Sequence, residues 1–372
     1  MKHDTTIGNM RILVVPLNWG LGHATRMVPV IRELLYLGAD VIAGGSLAHQ
    51  KLFREEIRNI ETINFPCLTI RLPGKKSQVF SLIMQLPIFL FQIIREHRFL
   101  KKLIRQRHID IVISDNCYGL WNRSIYSVFI THQLHIRLPS GIRFLEGFVN
   151  QVNTFLIRKF DECWVPDVAE HNGFAGKLSH TSKAIPNIHY VGVLSRFMTM
   201  GRAQVHRNKK AGKKLLFIIS GPEKQRSDFE NIIREELHHL PEGWDFTVIR
   251  GLPLTTGEND DLWLPHAGSR KLHELIVEAD AIVCRAGYST IMDLLTLGRT
   301  AILVPTPGQT EQEYLASYLS KKRYFYACRQ DQFKLRSVLS EFEEFKLHVP
   351  AFHANAGKLG IVLENLLTLI AY

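Results

Sequence analysis

The chain has 372 residues, is 46% hydrophobic and carries a formal net charge of +11. That length exceeds one ordinary domain and suits two of roughly 150–200 residues, each with its own core. The charge favours anionic partners, namely a nucleotide, nucleic acid or an anionic lipid, without choosing among them. Five cysteines (Cys67, Cys117, Cys163, Cys284 and Cys328) are spaced widely and without a CxxC. This argues against a disulfide framework or zinc knuckle and for a reducing compartment. The opening MKHDTTIGNM lacks an apolar signal core, so a cytoplasmic location is expected.

In chain order, RILVVPL (11–17) reads as a strand and ATRMVPVIRELLYLG (24–38) as a helix capped at Gly38. ADVIAGG is a second strand, and SLAHQKLFREEI a helix with Ser46 as N-cap. VFSLIMQLPIFLFQIIREHRFLKKLIRQR (79–107) begins apolar and ends basic. Gln85, Pro87 and Gln92 interrupt its apolar part, which is too short for the roughly 20 residues of a membrane span. It reads either as a buried helix with a solvated basic end or as a surface that sits on anionic lipid. IDIVISDN and SVFITHQ are continuous apolar runs, as in parallel strands covered on both faces. DECWVPD and HYVGVLSR add short late strands.

Residues 200–214, MGRAQVHRNKKAGKK, are basic and aperiodic and read as a linker. Alternation then restarts with LLFIISG, FENIIREEL, DFTVIRG, ADAIVCRAG, TIMDLLTLG and TAILVPT. A final apolar-periodic stretch, NAGKLGIVLENLLTLIAY, fits a helix. The expected layout is α/β: an N-terminal Rossmann-like domain (1–196, joined by a crossing helix, 355–372), a linker (197–214) and a second Rossmann-like domain (215–354). In open parallel sheets, ligands bind beyond the carboxyl ends of the strands. Two such domains are expected to face those ends across a cleft.

The polar residues at those ends are the candidates. NWGLGHATR (18–26) is not a dinucleotide fingerprint, since Thr25 stands where a third glycine belongs. Gly20 and Gly22 allow close approach. His23 opens a helix, where the macrodipole disfavours an imidazolium, and a neutral ring is what a general base requires. The alternative is a capping or packing histidine. Asp115 is a candidate to orient His23, or else caps a strand end. Arg26 pairs with an acceptor's anionic group or ties structure together. Asn116, His132 and Gln133 complete the first set.

In the second half, CRAGYSTIMDLLTLGRTAILVPTPGQTEQEYLA (284–316) is the richest segment. Arg285 and Gly287 end a strand. Tyr288, Ser289 and Thr290 open a helix whose amides suit a diphosphate. Asp293, one turn on, could bridge ribose hydroxyls. Gln309, Gln312 and Glu313 supply amide and acid groups suited to a sugar. Ser220 and Gly221, in SGPEKQR after a strand, offer amides to phosphate. ENDD (258–261) reads as a solvated loop and no DxD is present, so no bound metal and no cofactor are expected, the nucleotide-sugar being a substrate.

With its order intact, ADAIVCRAG…T..DL…G…ILVP……Q.EY resembles the donor-binding region of GT-B glycosyltransferases. The similarity extends to the MurG-type (family 28-like) N-acetylglucosaminyltransferases, which also carry Gly-x-Gly-His-x-x-Arg near the N-terminus. The resemblance covers both domains in layout and is specific at 280–316 and around 18–26. It implies Asp293 on a uridine ribose, Ser289 and Thr290 at the diphosphate, Gln312 at the donor sugar, Leu272 at the nucleobase through its backbone, and His23 as base. It also implies inverting, metal-independent transfer. Glu313 replaces a second glutamine. ITHQL departs from the MurG type on the acceptor side, so a different acceptor is expected, lipid-linked or membrane-adjacent in a cell-envelope setting. Two alternatives stand beside this: a sugar-nucleotide epimerase of the same architecture, and a basic nucleic-acid-binding or non-catalytic nucleotide-binding protein. Basic residues cluster without interleaved aromatics, against nucleic acid as a partner.

Overall fold

The computed structural model describes residues 10–66, 78–181, 185–200, 212–255, 261–348 and 356–371. The chain divides into two compact units, one of Met1–Leu194 with Ala354–Tyr372 and one of Ser195–His353.

The first unit runs β1 (Arg11–Pro16), α1 (Gly22–Tyr36), β2 (Asp40–Gly45), α2 (Leu47–Glu56), β3 (Glu61–Asn64), α3 (Gln78–Arg107), β4 (Ile111–Asp115), β5 (Tyr126–Ile130), α4 (Glu146–Ile157), β6 (Glu162–Val165) and β7 (Ile188–Tyr190). Its sheet has the order β3-β2-β1-β4-β5-β6-β7, with every pair parallel. β1 shows why both faces must be covered. Ile12 and Val14 pack with Met27, Val28 and Ile31 of α1, whereas Leu13 and Val15 pack with Leu100 and Leu103 of α3. Each such fully buried side chain contributes roughly 1.5–3 kcal/mol. The last helix, α10 (Ala356–Ala371), belongs to this unit and adds Leu359, Leu363 and Leu366 to the α1 side of the core. Gly38 ends α1 at φ +87°, a conformation that glycine adopts without strain.

The second unit contains β8 (Lys213–Ile218), α5 (Gln225–Glu236), β9 (Trp244–Ile249), β10 (Trp263–Leu264), α6 (Ser269–Glu278), β11 (Ala281–Cys284), α7 (Tyr288–Thr296), β12 (Ile302–Leu303), α8 (Thr310–Lys321), β13 (Tyr326–Ala327) and α9 (Leu335–Glu344). Its parallel sheet has the order β10-β9-β8-β11-β12-β13. In both sheets the order reverses beside the first strand of the unit, β1 or β8. Loops at the carboxyl ends of these strands are therefore the natural ligand sites.

Several local expectations change. Ser46 does occupy the N-cap of α2, but its hydroxyl is buried and makes no capping bond. Of HYVGVLSR only the first two residues are strand; Val191, Val193 and Leu194 are buried beyond it. Lys213 and Lys214, read as linker, start β8 because their backbone pairs with Trp244 and Asp245. The division between units falls before Ser195, so Ser195 and Arg196 go with the second unit. Most of the basic linker (201–211), Cys67 and most of ENDD lie outside the described residues.

α4 has an inverted polarity that the sequence pattern hides. Asn153 is buried, and its side-chain amide donates to the carbonyls of Gln133 and Leu134. Asn150 likewise brackets Ile136 through its N–H and its carbonyl. Phe148 and Phe155 of the same helix are exposed.

Candidate active site

In the first unit five predicted residues converge: His23, Arg26, Asp115, Asn116 and His132. β1 ends at Pro16 and the chain crosses the Asn18–Leu21 loop, with Gly20 at φ +73°, into α1. Gly22 is the first residue of that helix and His23 the second. Asp115 is the last residue of β4, the strand paired with β1, and its carboxylate is fully buried. His23 Nδ1 lies 3.1 Å from Asp115 Oδ2. Arg26, one turn along α1, donates Nε–H to Oδ2 at 2.6 Å and Nη2–H to Oδ1, a bidentate pair. Asn116 donates its side-chain amide to Oδ1 at 3.2 Å. Burial pushes the Asp115 carboxyl up, but the charges of Arg26 and His23 outweigh it and hold the group at about 2. It is therefore an anion at any working pH.

The tautomer of His23 decides what this cluster can do. Arg26 Nη2 stands 2.9 Å from the same Nδ1 that faces Asp115. A guanidinium can only donate. If Nδ1 accepts from Arg26, the proton sits on Nε2 and the ring is not a base there. If Nδ1–H donates to Asp115, Nε2 carries the lone pair. Arg26 already gives two bonds to Asp115, and the carboxylate needs no further cation. His23 retains partial exposure, with 16% of its side chain accessible.

Arg26 and His132, read as acceptor contacts, are both buried and paired with each other. Arg26 is 1% exposed, and its guanidinium is engaged by Asp115 and by His132 Nδ1 at 2.9 Å. His132, at the carboxyl end of β5, is 3% exposed. It accepts from Arg26, because an arginine has no lone pair to offer. Asn116 holds φ +58°, tolerated best by asparagine among non-glycine residues. It and Gln133 are partly exposed and flank the cluster.

One contributor was not read from the sequence. His49, in the first turn of α2, is 1% exposed and places Nε2 3.1 Å from the Gly20 carbonyl. Burial lowers its pKa to about 4, with the nearby His23 pushing the same way. It is neutral and donates Nε2–H. A lone histidine on an amphipathic helix gives no signal of such a contact.

In the second unit the loops beyond β8, β11 and β12 carry the predicted donor residues, but most of their charged side chains are committed to the protein. Arg285 is fully buried. It donates to the carbonyls of Val304 and Gln225, both at 3.1 Å, and lies 4.0 Å over the Phe229 ring. Burial lowers its pKa to about 9, and its Nε has no partner. It braces three elements and is not placed as a phosphate ligand. Asp293 is buried within α7; it accepts from Ser195 Oγ at 2.6 Å and Arg196 Nε at 3.1 Å. Burial raises its pKa, against Arg196 and Ser195. The carboxylate expected on a ribose is thus engaged internally, by two residues that the sequence pattern had put in the first domain. Leu272, expected at the nucleobase, is buried. It sits inside α6 with its amide bonded to Gly268, so that N–H is taken by the helix.

Gln312 Oε1 accepts the Thr306 amide at 2.9 Å, and Glu313 Oε1 accepts the Gly308 amide at 2.8 Å. Both side chains reach back from α8 to shape the 306–309 loop. Gln309, at the N-cap of α8, keeps a buried side-chain oxygen without a partner. Gly287 is the N-cap of α7, and Tyr288, Ser289 and Thr290 form its first turn. Ser220 and Gly221, the latter at φ +109° with open space beside it, follow β8. Among the described residues no three His, Cys, Asp or Glu side chains converge as a metal site. No described helix is long and apolar enough to cross a membrane.

Comparison with known proteins bears on the fold and on part of the second unit. Residues 268–358 match the glycosyltransferase family 28 C-terminal domain. No curated protein matches the chain in sequence. Among solved structures, the glycotransferase of kitacinnamycin aligns over 97% of this chain and 95% of its own at 17% identity, TM-score 0.61. MurG of Acinetobacter baumannii aligns over 97% and 99% at 13% identity, TM-score 0.55. The spinosyn rhamnosyltransferase SpnG, complexed with thymidine diphosphate, aligns over 97% and 98% at 14% identity, TM-score 0.54. At such identities the likeness speaks for the fold, and the domain match for residues 268–358 alone. The chain thus has the two-unit architecture of the GT-B glycosyltransferases, and its residues 268–358 match the family 28 C-terminal domain.

Proposed function

We propose that this enzyme moves a hexose from a nucleoside-diphosphate sugar to an acceptor hydroxyl, with inversion and without a metal, and that His23 is its general base. The His23–Asp115 pair at 3.1 Å carries this proposal. With Nδ1–H held by Asp115, His23 Nε2 takes the acceptor proton. The acceptor oxygen then bonds to the anomeric carbon, and the bond from that carbon to the diphosphate oxygen breaks, its electron pair leaving with the phosphate. Asp115 stabilises the imidazolium that results. The first turn of α7 and the Ser220–Gly221 loop hold the leaving diphosphate. The partnerless oxygen of Gln309 accepts from a sugar hydroxyl. UDP is the proposed nucleotide, with N-acetylglucosamine as a candidate sugar.

A lipid-linked or membrane-adjacent acceptor is supported by the surface of the first unit. Ile88, Leu90, Phe91 and Ile94 of α3 are exposed, followed by exposed Arg95, Arg98, Lys101, Lys102 and Arg105. On α4, Phe148 and Phe155 are exposed, with Phe144 just ahead of the helix. Apolar side chains beside cations suit an anionic bilayer surface.

The test is calorimetry with UDP, UDP-N-acetylglucosamine, UDP-glucose, GDP, dTDP and CDP, with and without magnesium, followed by acceptor assays with the sugar nucleotide that binds. Metal-independent binding of one diphosphate, unchanged in His23→Ala while transfer is lost, is the expected result. Turnover of the free nucleotide sugar without acceptor would point to an epimerase, and binding of no nucleotide would refute the proposal. Sedimentation with anionic but not neutral vesicles tests the membrane element.

A further inference from the structure

We infer that His49 is a positioning residue for His23, acting through the loop that presents it; the inference rests on the proposed role of His23 as base. β2 lies beside β1 in the sheet, so the turn after β2 abuts the loop after β1. His49 stands in the first turn of α2 and spans that gap with one hydrogen bond, from Nε2–H to the Gly20 carbonyl at 3.1 Å. Gly20 holds φ +73°, so its peptide is set in a conformation that the local chain does not favour outside glycine. Three residues later comes His23. With the Gly20 carbonyl fixed, the start of α1 is fixed, and with it the ring that must meet both Asp115 and the acceptor.

The surroundings leave His49 no other task. Its ring packs against Gly45, where an added Cβ would lie 2.8–2.9 Å from the His49 Cβ and Nδ1. Nδ1 is buried and has no hydrogen-bond partner. A proton there would have nothing to donate to, so the ring stays in the Nε2–H tautomer. Leucine would fill the site without an orphaned nitrogen, so the imidazole is a costly choice for packing alone. The groups that face it electrostatically are His23 and Asp115. An uncharged His49 adds no cation beside His23, which already faces the Arg26 guanidinium.

Two variants and two kinds of measurement test this. His49→Gln keeps an N–H near the position of Nε2; His49→Leu removes it. In the assay for sugar transfer, His49→Leu should lower kcat at least 10-fold with donor KM within 2-fold of wild type. His49→Gln should recover kcat to within about 3-fold. Equal losses in both variants, or a donor KM that rises in step with the loss of rate, would reduce His49 to packing and overturn the inference. Nitrogen-15 histidine NMR and amide hydrogen exchange on the full chain need no activity. They should show a His49 Nε2–H tautomer that does not titrate between pH 5 and 8, and faster exchange of the 20–25 amides in His49→Leu alone. A charged His49 at pH 6, or unchanged exchange in His49→Leu, would overturn it even where transfer is seen. Absence of transfer in the wild type with the NMR result intact would refute the base role of His23 and leave the loop contact standing.

Discussion

The two units arrange the buried charges at their candidate sites differently. In the first, Asp115, Arg26, His23 and His132 form one compensated cluster in which the buried anion has its cation, and a partly exposed ring is aligned by both. In the second, Arg285 and Asp293 are buried separately, one against backbone carbonyls and an aromatic ring, the other against Ser195 and Arg196. Gln312 and Glu313 hold a loop in shape. The lesson is that a polar residue at the carboxyl end of a strand can serve chemistry or carpentry. In the first unit the paired side chains leave a partly exposed ring, as the proposed base requires. In the second they build a frame, so the proposed diphosphate site rests on backbone amides at helix N-termini.

The largest test of this contrast is Asp115→Ala. It leaves Arg26 buried without its anion and should destabilise the first unit by about 3–5 kcal/mol in chemical denaturation, besides abolishing transfer. The sign with pH follows. The carboxyl titrates at about 2 in the folded chain against an ordinary 3.8. Its stabilisation is thus complete above pH 3.8 and lost as the pH falls through 2. Acid denaturation of wild type should steepen in that window, and Asp115→Ala should flatten it.

His23→Ala separates chemistry from scaffold. Stability should change by less than about 1 kcal/mol and nucleotide affinity should hold, while transfer falls roughly 10²–10⁴-fold. Loss of folding instead would put His23 with Arg26 in the frame.

Glu96 of α3 sharpens the comparison, as a buried acid without a cation. It accepts from Gln92 and from the Gly119 amide, in the loop that follows Asp115. Burial, opposed by those two hydrogen bonds, lifts its pKa from 4.5 to about 7. The native state therefore holds this proton more tightly than the unfolded chain. The resulting stabilisation is full below pH 4.5 and lost as the pH rises through 7. Thermal melts across that range should show wild type losing on the order of 3 kcal/mol relative to Glu96→Gln. The smallest effect is expected from Gln312→Ala, about 1–3 kcal/mol, because it orphans the Thr306 amide. Weaker nucleotide binding should accompany it, through the loop.

The strands with continuous apolar runs were legible because both faces are buried, and the glycine-rich start of α1 was legible because a strand ends just before it. β3, with Glu61, Thr62 and Asn64, was not, since it sits at a sheet edge and needs no apolar face. α4 escaped because its asparagines face inward to serve loop carbonyls. Its phenylalanines face out. His23 and Asp115 were singled out as residue types at strand ends. Asp115 was read as a group that could orient His23, and β4 beside β1 brings them together; the buried bidentate pairing of Arg26 with the same carboxylate was not read, and nothing in SLAHQ points to Gly20.

The sequence alone determined the α/β layout, the two Rossmann-like halves and the segment that matches the family 28 C-terminal domain, because apolar period and turn residues are local properties. Tertiary structure decided which polar residues are buried and which partners they take. Burial and pairing are settled by what the sheet order places side by side: β4 beside β1 brings Asp115 to His23 and Arg26, and β2 beside β1 brings His49 to Gly20.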